Sequence, residues 1–151
     1  VVYMRTTARA IGSQQRAALA AEYHHDAAGA QEYDSLEYLA AGSQRTVYLD
    51  HHAGIVYKLG DDSANRREVR VLAELRARGV THAPEATLYE VTLTDQWGDT
   101  MTCTVVAMPY LPDDGSMPRP YPLLEGAADL NPYGNVHAHG GQLWLIDAGG
   151  L

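Results

Sequence analysis

From Leu36 to Gly60 the chain reads LEYLAAGSQRTVYLDHHAGIVYKLG, three runs rich in Val, Tyr and Leu with breaks at Gly42 and at His52-Ala53-Gly54. Connections this short cannot carry the crossover that parallel strands need, so consecutive runs can pair only antiparallel. Strands are predicted at 36–41, 45–50 and 54–59. The next segment, SANRREVRVLAELRARG, changes period. Leu72 and Leu75, flanked by Val69 and Val71, make one apolar helical face, with Ser63 as the expected N-cap and Gly79 as the stop. ATLYEVTLTD and DTMTCTVVAMPYL then alternate again, a hairpin turning at Gln96-Trp97-Gly98. Five consecutive strands interrupted by one helix predict an α+β fold around an antiparallel sheet.

The flanking regions differ in texture. PDDGSMPRPYP holds four of the seven prolines and reads as a linker or loop. After it, NVHA and QLWLID predict a short hairpin across His139-Gly140-Gly141. Ahead of the sheet, residues 6–28 are alanine-rich and helix-prone, with Gly29 as a stop. Ile11, Leu19 and Tyr23 share a narrow face there, so an appended, weakly docked helix is expected. The resulting division is a helical extension over 1–35, a sheet-and-helix unit over 36–111, and a linker, loop and hairpin over 112–151.

A formal charge of −8 lacks the basic footprint of a general nucleic-acid binder. No run approaches the roughly 18 apolar residues of a membrane span, and VVYMRTTARAIGS has no signal-peptide core, so a cytoplasmic setting is expected. The single cysteine, Cys103, rules out an intramolecular disulfide framework; in its apolar run it reads as a core thiol in a reducing compartment. His24-His25 and His51-His52 invite a metal reading, but neighbouring helical side chains diverge by about 100°, and solvated histidines are expected.

The chemistry-bearing residues are few. Lys58 ends the third predicted strand, where alternation alone would let it point outward. Glu68 shares a helical face with Leu72 and Leu75 at the i, i+4, i+7 spacing. A carboxylate on an apolar face needs a cation, because a buried unpaired charge is very costly, and Lys58 is a suitable one. The turn at Gly42 would lie over the sheet end that presents Lys58. Downstream, DLNPYGN places Asp129 and Asn135 on a loop pinned by Pro132 and opened by Gly134, and Asp147 ends the apolar run LWLI. Carboxylate and amide oxygens suit magnesium, a hard cation that completes its shell with water and phosphate oxygens. Each of these residues alone reads better as ordinary loop polarity; together, with Lys58 and Glu68 in order before them, they do not.

That order of glycine loop, strand lysine, helix glutamate, apolar hinge, Asp…Asn loop and strand-end Asp resembles the protein-kinase-like superfamily. The wording is most similar to its aminoglycoside and small-molecule phosphotransferase branch, and to short kinase-like proteins of bacteriophages with a Gly-Ser-x-Arg-x-Val-Tyr loop and an Asn-Arg-x-Glu helix. GSQRTVY and NRRE stand here in those places. The resemblance implies a minimal kinase-like fold: a five-stranded N-terminal lobe with one helix, then a reduced C-terminal part. It implies ATP and Mg2+ as cofactors, with Gly42 and Ser43 covering the phosphates, Lys58 holding them and Glu68 orienting Lys58. Met108 and Tyr110 would belong to the adenine hinge, Asp129 would be the catalytic base, and Asn135 and Asp147 would be metal ligands. The Asp129-to-Asn135 spacing is one residue longer than the family's, Ala148 follows Asp147, and the stretch from Pro112 to Asp129 is too short for the helices of the usual larger lobe. Two readings follow, a minimal kinase acting on an unknown hydroxyl acceptor or a pseudokinase-like binding or regulatory module, beside a third in which the chain is an unrelated β-rich interaction protein and the motif order is chance. In either of the first two, a protein partner or a second copy could complete the missing lobe.

Overall fold

The computed structural model describes Leu19, Glu22 and residues 36–42, 44–94, 97–127 and 132–148. Its centre is an antiparallel sheet of β1 (Glu37–Ala41), β2 (Arg45–Asp50), β3 (Ile55–Gly60), β4 (Thr87–Thr94) and β5 (Thr100–Pro109), in the order β1-β2-β3-β5-β4. Helix α1 (Asp62–Ala77) joins β3 to β4 and packs on β3, β4 and β5. A one-turn helix α2 (Pro132–Asn135) leads into a separate hairpin of β6 (Val136–His139) and β7 (Gln142–Leu145). The fold is α+β with a five-stranded antiparallel sheet, as the strand and helix periods predict. Helix α2 is too short to leave a periodic signal. No helix among the described residues is long and apolar enough to cross a membrane.

Strand alternation sends side chains to two faces, and both are covered. Leu49, Val56, Leu88, Val106 and Met108 meet Val69, Leu72 and Leu75 of α1, with Leu145 and Ala148 closing the cluster from the C-terminal side. Tyr48, Tyr57, Leu59, Val91 and Val105 form a second cluster with Leu36 and Leu19. Leu19 is fully buried, so the N-terminal segment contributes to the core through at least this side chain. His24 and His25 lie outside the described residues. His51 and His52 are exposed, His51 pairing with Glu37, in keeping with the solvated reading. Cys103 is partly rather than fully buried, and burial raises its thiol pKa.

Several boundaries differ from the sequence expectation for identifiable reasons. The N-cap of α1 is Asp61, not Ser63: its carboxylate accepts from the amides of Ser63 at 2.8 Å and Ala64 at 3.4 Å. Asp and Ser cap equally well, and Asp61 is already fixed, its amide donating to the Gln44 carbonyl at 2.9 Å. Strand β7 ends at Leu145, so Asp147 lies beyond the strand, held there by the amide of Ile146 donating to the Asn135 carbonyl at 2.8 Å. The proline-rich segment is not a free linker. The Asp114 amide donates to Ala138 at 2.9 Å, Tyr121 is buried beside Val136 and Ala138, and the Gly140 amide donates to the Asp114 carboxylate at 2.8 Å. That last bond, with others from Ser116, holds the Asp114 pKa down at about 2.

Gly60 brings the β1–β2 turn onto the end of β3. Its φ is +133°, and a Cβ there would lie 2.3 Å from the Gln44 carbonyl oxygen and 3.0 Å from Arg45 Cα. No side chain fits without displacing backbone. Gly60→Ala is therefore expected to destabilise the protein by about 2–4 kcal/mol, combining backbone strain with a steric clash. A urea unfolding midpoint unchanged from wild type would contradict this.

Candidate functional site

Glu68 is fully buried on the inner face of α1, one turn before Leu72. Burial disfavours its ionised form, but three donors more than compensate. Lys58 Nζ, from the adjacent strand, donates to Oε2 at 2.8 Å, the Ala148 amide donates to the same oxygen at 2.8 Å, and Arg45 Nη1 donates to Oε1 at 2.8 Å. The nearby Lys58 and Arg45 charges, with these hydrogen bonds, hold the Glu68 pKa below its ordinary value. Lys58 is itself buried and also donates to the Ile146 carbonyl at 2.5 Å. Four separate parts of the chain thus meet at one carboxylate: the start of β2, the end of β3, α1, and Ala148 beyond β7.

Arg45 carries the arrangement outward. Besides Glu68, its Nη1 reaches Asn65 Oδ1 at 3.3 Å, while Nη2 donates to Asp147 Oδ1 at 2.8 Å. Asn65, one helical turn before Glu68, is fixed in turn: its Nδ2 donates to the Thr104 carbonyl at 2.9 Å. The Thr104 hydroxyl donates to Asp62 Oδ1 at 2.7 Å, and that bond with the one from Arg66 lowers the Asp62 pKa. Among the described residues no buried side-chain polar atom lacks a partner. A network satisfied to this degree holds its members in one geometry.

These groups form the polar end of a cleft of about 640 Å³, a size that suits a small-molecule ligand. Val47, Val56 and Met108 give it apolar walls, and Tyr110 and Leu111 border it along the segment after β5. That segment is tied on both sides. The Tyr110 amide donates to Gly54 at 2.9 Å, and from the hairpin His137 Nδ1 donates to the Leu111 carbonyl at 2.8 Å and His139 Nδ1 to the Pro112 carbonyl at 2.9 Å.

The sequence-derived candidates divide clearly. Lys58, Gly42, Met108, Tyr110 and Asp147 line the cleft. Glu68 lies behind Lys58 and orients it without facing the cavity. Asn135 is buried, is not among the lining residues, and uses its carbonyl to hold Ile146. Ser43 and Asp129 lie outside the described residues. No cluster of three or more His, Cys, Asp or Glu side chains that could hold a metal occurs among the described residues. Asp147, a carboxylate 39% exposed at the polar end of the cleft, does fit Mg2+, which is content with one or two carboxylates when phosphates and water complete its shell. Arg45 and Asn65 were missed as site residues. Two signals were available: Arg45 and Asn65 are members of the GSQRTVY and NRRE motifs, and Asn65 stands three residues before Glu68, on its face, while Arg45 begins the strand that pairs with that of Lys58.

Because the folded-state pKa of Glu68 is depressed, its stabilisation is complete above the ordinary value of 4.5 and is lost as pH falls through the folded value. Wild-type protein is expected to lose stability on acidification below that pH. Glu68→Gln should be about 3–5 kcal/mol less stable at pH 7, with a weaker acid dependence, because it leaves Lys58 and Arg45 buried without a carboxylate. In a double-mutant cycle, Lys58→Met with Glu68→Gln should cost less than the sum of the single changes. Urea titrations at pH 7 and pH 3.5 measure each of these. No protein-family model, curated protein or solved structure compared with the chain gives a match.

Proposed function

We propose that the chain is a minimal kinase-like domain whose cleft binds Mg-ATP. The observation that carries this reading is the buried Lys58–Glu68 ion pair at the polar end of an apolar-walled cleft, with Asp147 beside it. Adenine would lie over the apolar wall of Val47, Val56 and Met108 against the backbone near Tyr110, and the phosphates would point toward Lys58 beside Gly42. Lys58 is suited to hold phosphate because Glu68 and the Ile146 carbonyl accept two of its three N–H donors and aim the ammonium. Asp147 would hold magnesium, assisted by Asn135 if its side chain turns toward the cleft; the ion would bridge phosphate oxygens and offset their charge. The acceptor is an unidentified hydroxyl compound, with Asp129 as the base that takes its proton. A reducing, ATP-rich cytoplasm is the setting this chemistry suits.

One observation favours a second reading, a pseudokinase-like module that binds nucleotide without turnover. Asp147, the proposed metal ligand, is engaged by Arg45 at 2.8 Å. In that case the bound nucleotide would serve regulation or assembly with a partner.

Calorimetric titration with ATP, in magnesium and in chelator, tests the shared core of both readings. Wild-type protein is expected to bind more tightly with magnesium, and Asp147→Asn should lose that increment while retaining the fold. Equal, negligible heats in all titrations would exclude a nucleotide site. Transfer or slow hydrolysis of labelled ATP then separates the readings. Activity lost in Asp129→Asn with binding intact identifies an enzyme, whereas background-level traces for both proteins identify the binding module.

A further inference from the structure

The Arg45 side chain is 8% exposed, and its guanidinium joins both carboxylates of the polar end, Glu68 at 2.8 Å and Asp147 at 2.8 Å. These two bonds differ in kind. Glu68 is fully buried and keeps Lys58 and the Ala148 amide whatever Arg45 does. Asp147 is 39% exposed and stands on the segment beyond β7, facing the cleft. The Glu68 bond is an anchor, and the Asp147 bond is open to exchange with solvent species.

The charges at this end also balance. Arg45 and Lys58 offset Glu68 and Asp147, so the four groups have no net charge with which to neutralise a polyphosphate. A divalent cation approaching Asp147 meets a guanidinium already seated on that carboxylate, and the two cations repel at short range. A polyphosphate alone meets an Arg45 whose charge is partly taken by Asp147. Either ligand improves the site for the other.

We propose that Arg45 is an exchangeable counter-ion: in the free protein it neutralises Asp147, and when Asp147 takes a divalent cation, the Nη2 edge of Arg45 turns to a phosphate oxygen. Glu68 and Asn65 keep hold of Nη1 throughout, so the guanidinium pivots without leaving its seat. Of its five N–H donors the three bonds occupy at most three, which leaves donors for the incoming phosphate among the described contacts. The fork geometry that favours Arg over Lys for phosphate suits this role. Metal and nucleotide then bind with positive coupling, and by linkage the coupling is reciprocal. This inference rests on the reading of the cleft as a metal–nucleotide site.

The test uses two ligands whose responses should move in opposite directions. Mn2+ alone, titrated by water-proton relaxation, should bind Arg45→Gln about tenfold more tightly than wild type, because the competing cation is gone. Mg-ATP, titrated by calorimetry, should bind Arg45→Gln roughly tenfold or more weakly, because a charge-assisted phosphate contact is lost. A merely structural role for Arg45 would weaken both. Asp147→Asn in the Arg45→Gln background should abolish the gain in Mn2+ affinity, which locates it at Asp147. If Arg45→Gln does not fold, Arg45→Lys carries the test. It keeps the charge but holds one partner at a time, so the same two shifts should appear at smaller size. Equal Mn2+ affinity in wild type and both variants overturns the exchange even if Mg-ATP binds as proposed. Failure of wild type to bind Mg-ATP, with Mn2+ affinity still raised in Arg45→Gln, overturns the phosphate handover and the nucleotide reading together.

Discussion

A carboxylate cannot be taken fully out of water without partners that restore most of its hydration energy, and Glu68 is such a carboxylate. Its partners come from β2, from β3 and from the segment after β7, so the helix can seat itself only when those three parts have arrived. The apolar face formed by Val69, Leu72 and Leu75 drives α1 onto the sheet, but hydrophobic burial is indifferent to small sliding motions. The ion-pair network fixes the register. It also joins the C-terminal hairpin to the sheet, since the residues that approach Lys58 and Glu68 are Ile146 and Ala148, immediately after β7.

The parts of this structure that were legible in the sequence are those governed by short-range rules. Alternation in TVYLD and IVYKLG and the 3.6 period through Val69, Leu72 and Leu75 identify sheet and helix. The Lys58–Glu68 pair was legible for a different reason: a charge on an apolar face poses an energetic problem, and the adjacent strand held the one convenient solution. Arg45 posed no such problem. It stands in the sequence only as one member of GSQRTVY, with no role of its own, and its three acceptors are 20, 23 and 102 residues away. Contacts at that range follow from tertiary packing, which a local pattern does not encode. The same limit applies to the proline-rich segment, whose composition speaks for a loop but not for Tyr121 seated beneath the hairpin.

The atoms that hold the fold together at Glu68 also shape the polar end of the cleft. Buried ion pairs seldom add much to stability over an apolar core of the same shape, so a network this extensive is a poor device for folding alone. Its organisation makes better sense for the cleft. Each bond that holds Lys58, Arg45 or Asp147 also sets the direction in which its remaining donors or acceptors face the cavity. Thr104 and Asn65 extend this support to β5 without touching the cavity themselves.

The tethering of residues 110–112 has a consequence for kinetics. With Tyr110 bonded to the sheet and Leu111 and Pro112 bonded to histidines of the hairpin, the connection between the two sides of the cleft has no slack to flex. Large domain closures, which run on microsecond to millisecond timescales, are mechanically disfavoured in such a body. The opposite border of the cleft is β1, an edge strand exposed along its whole length. Motions of short edge segments run from nanoseconds to microseconds. Residence time in this cleft would accordingly be set by how well a ligand is held, rather than by the opening of a gate.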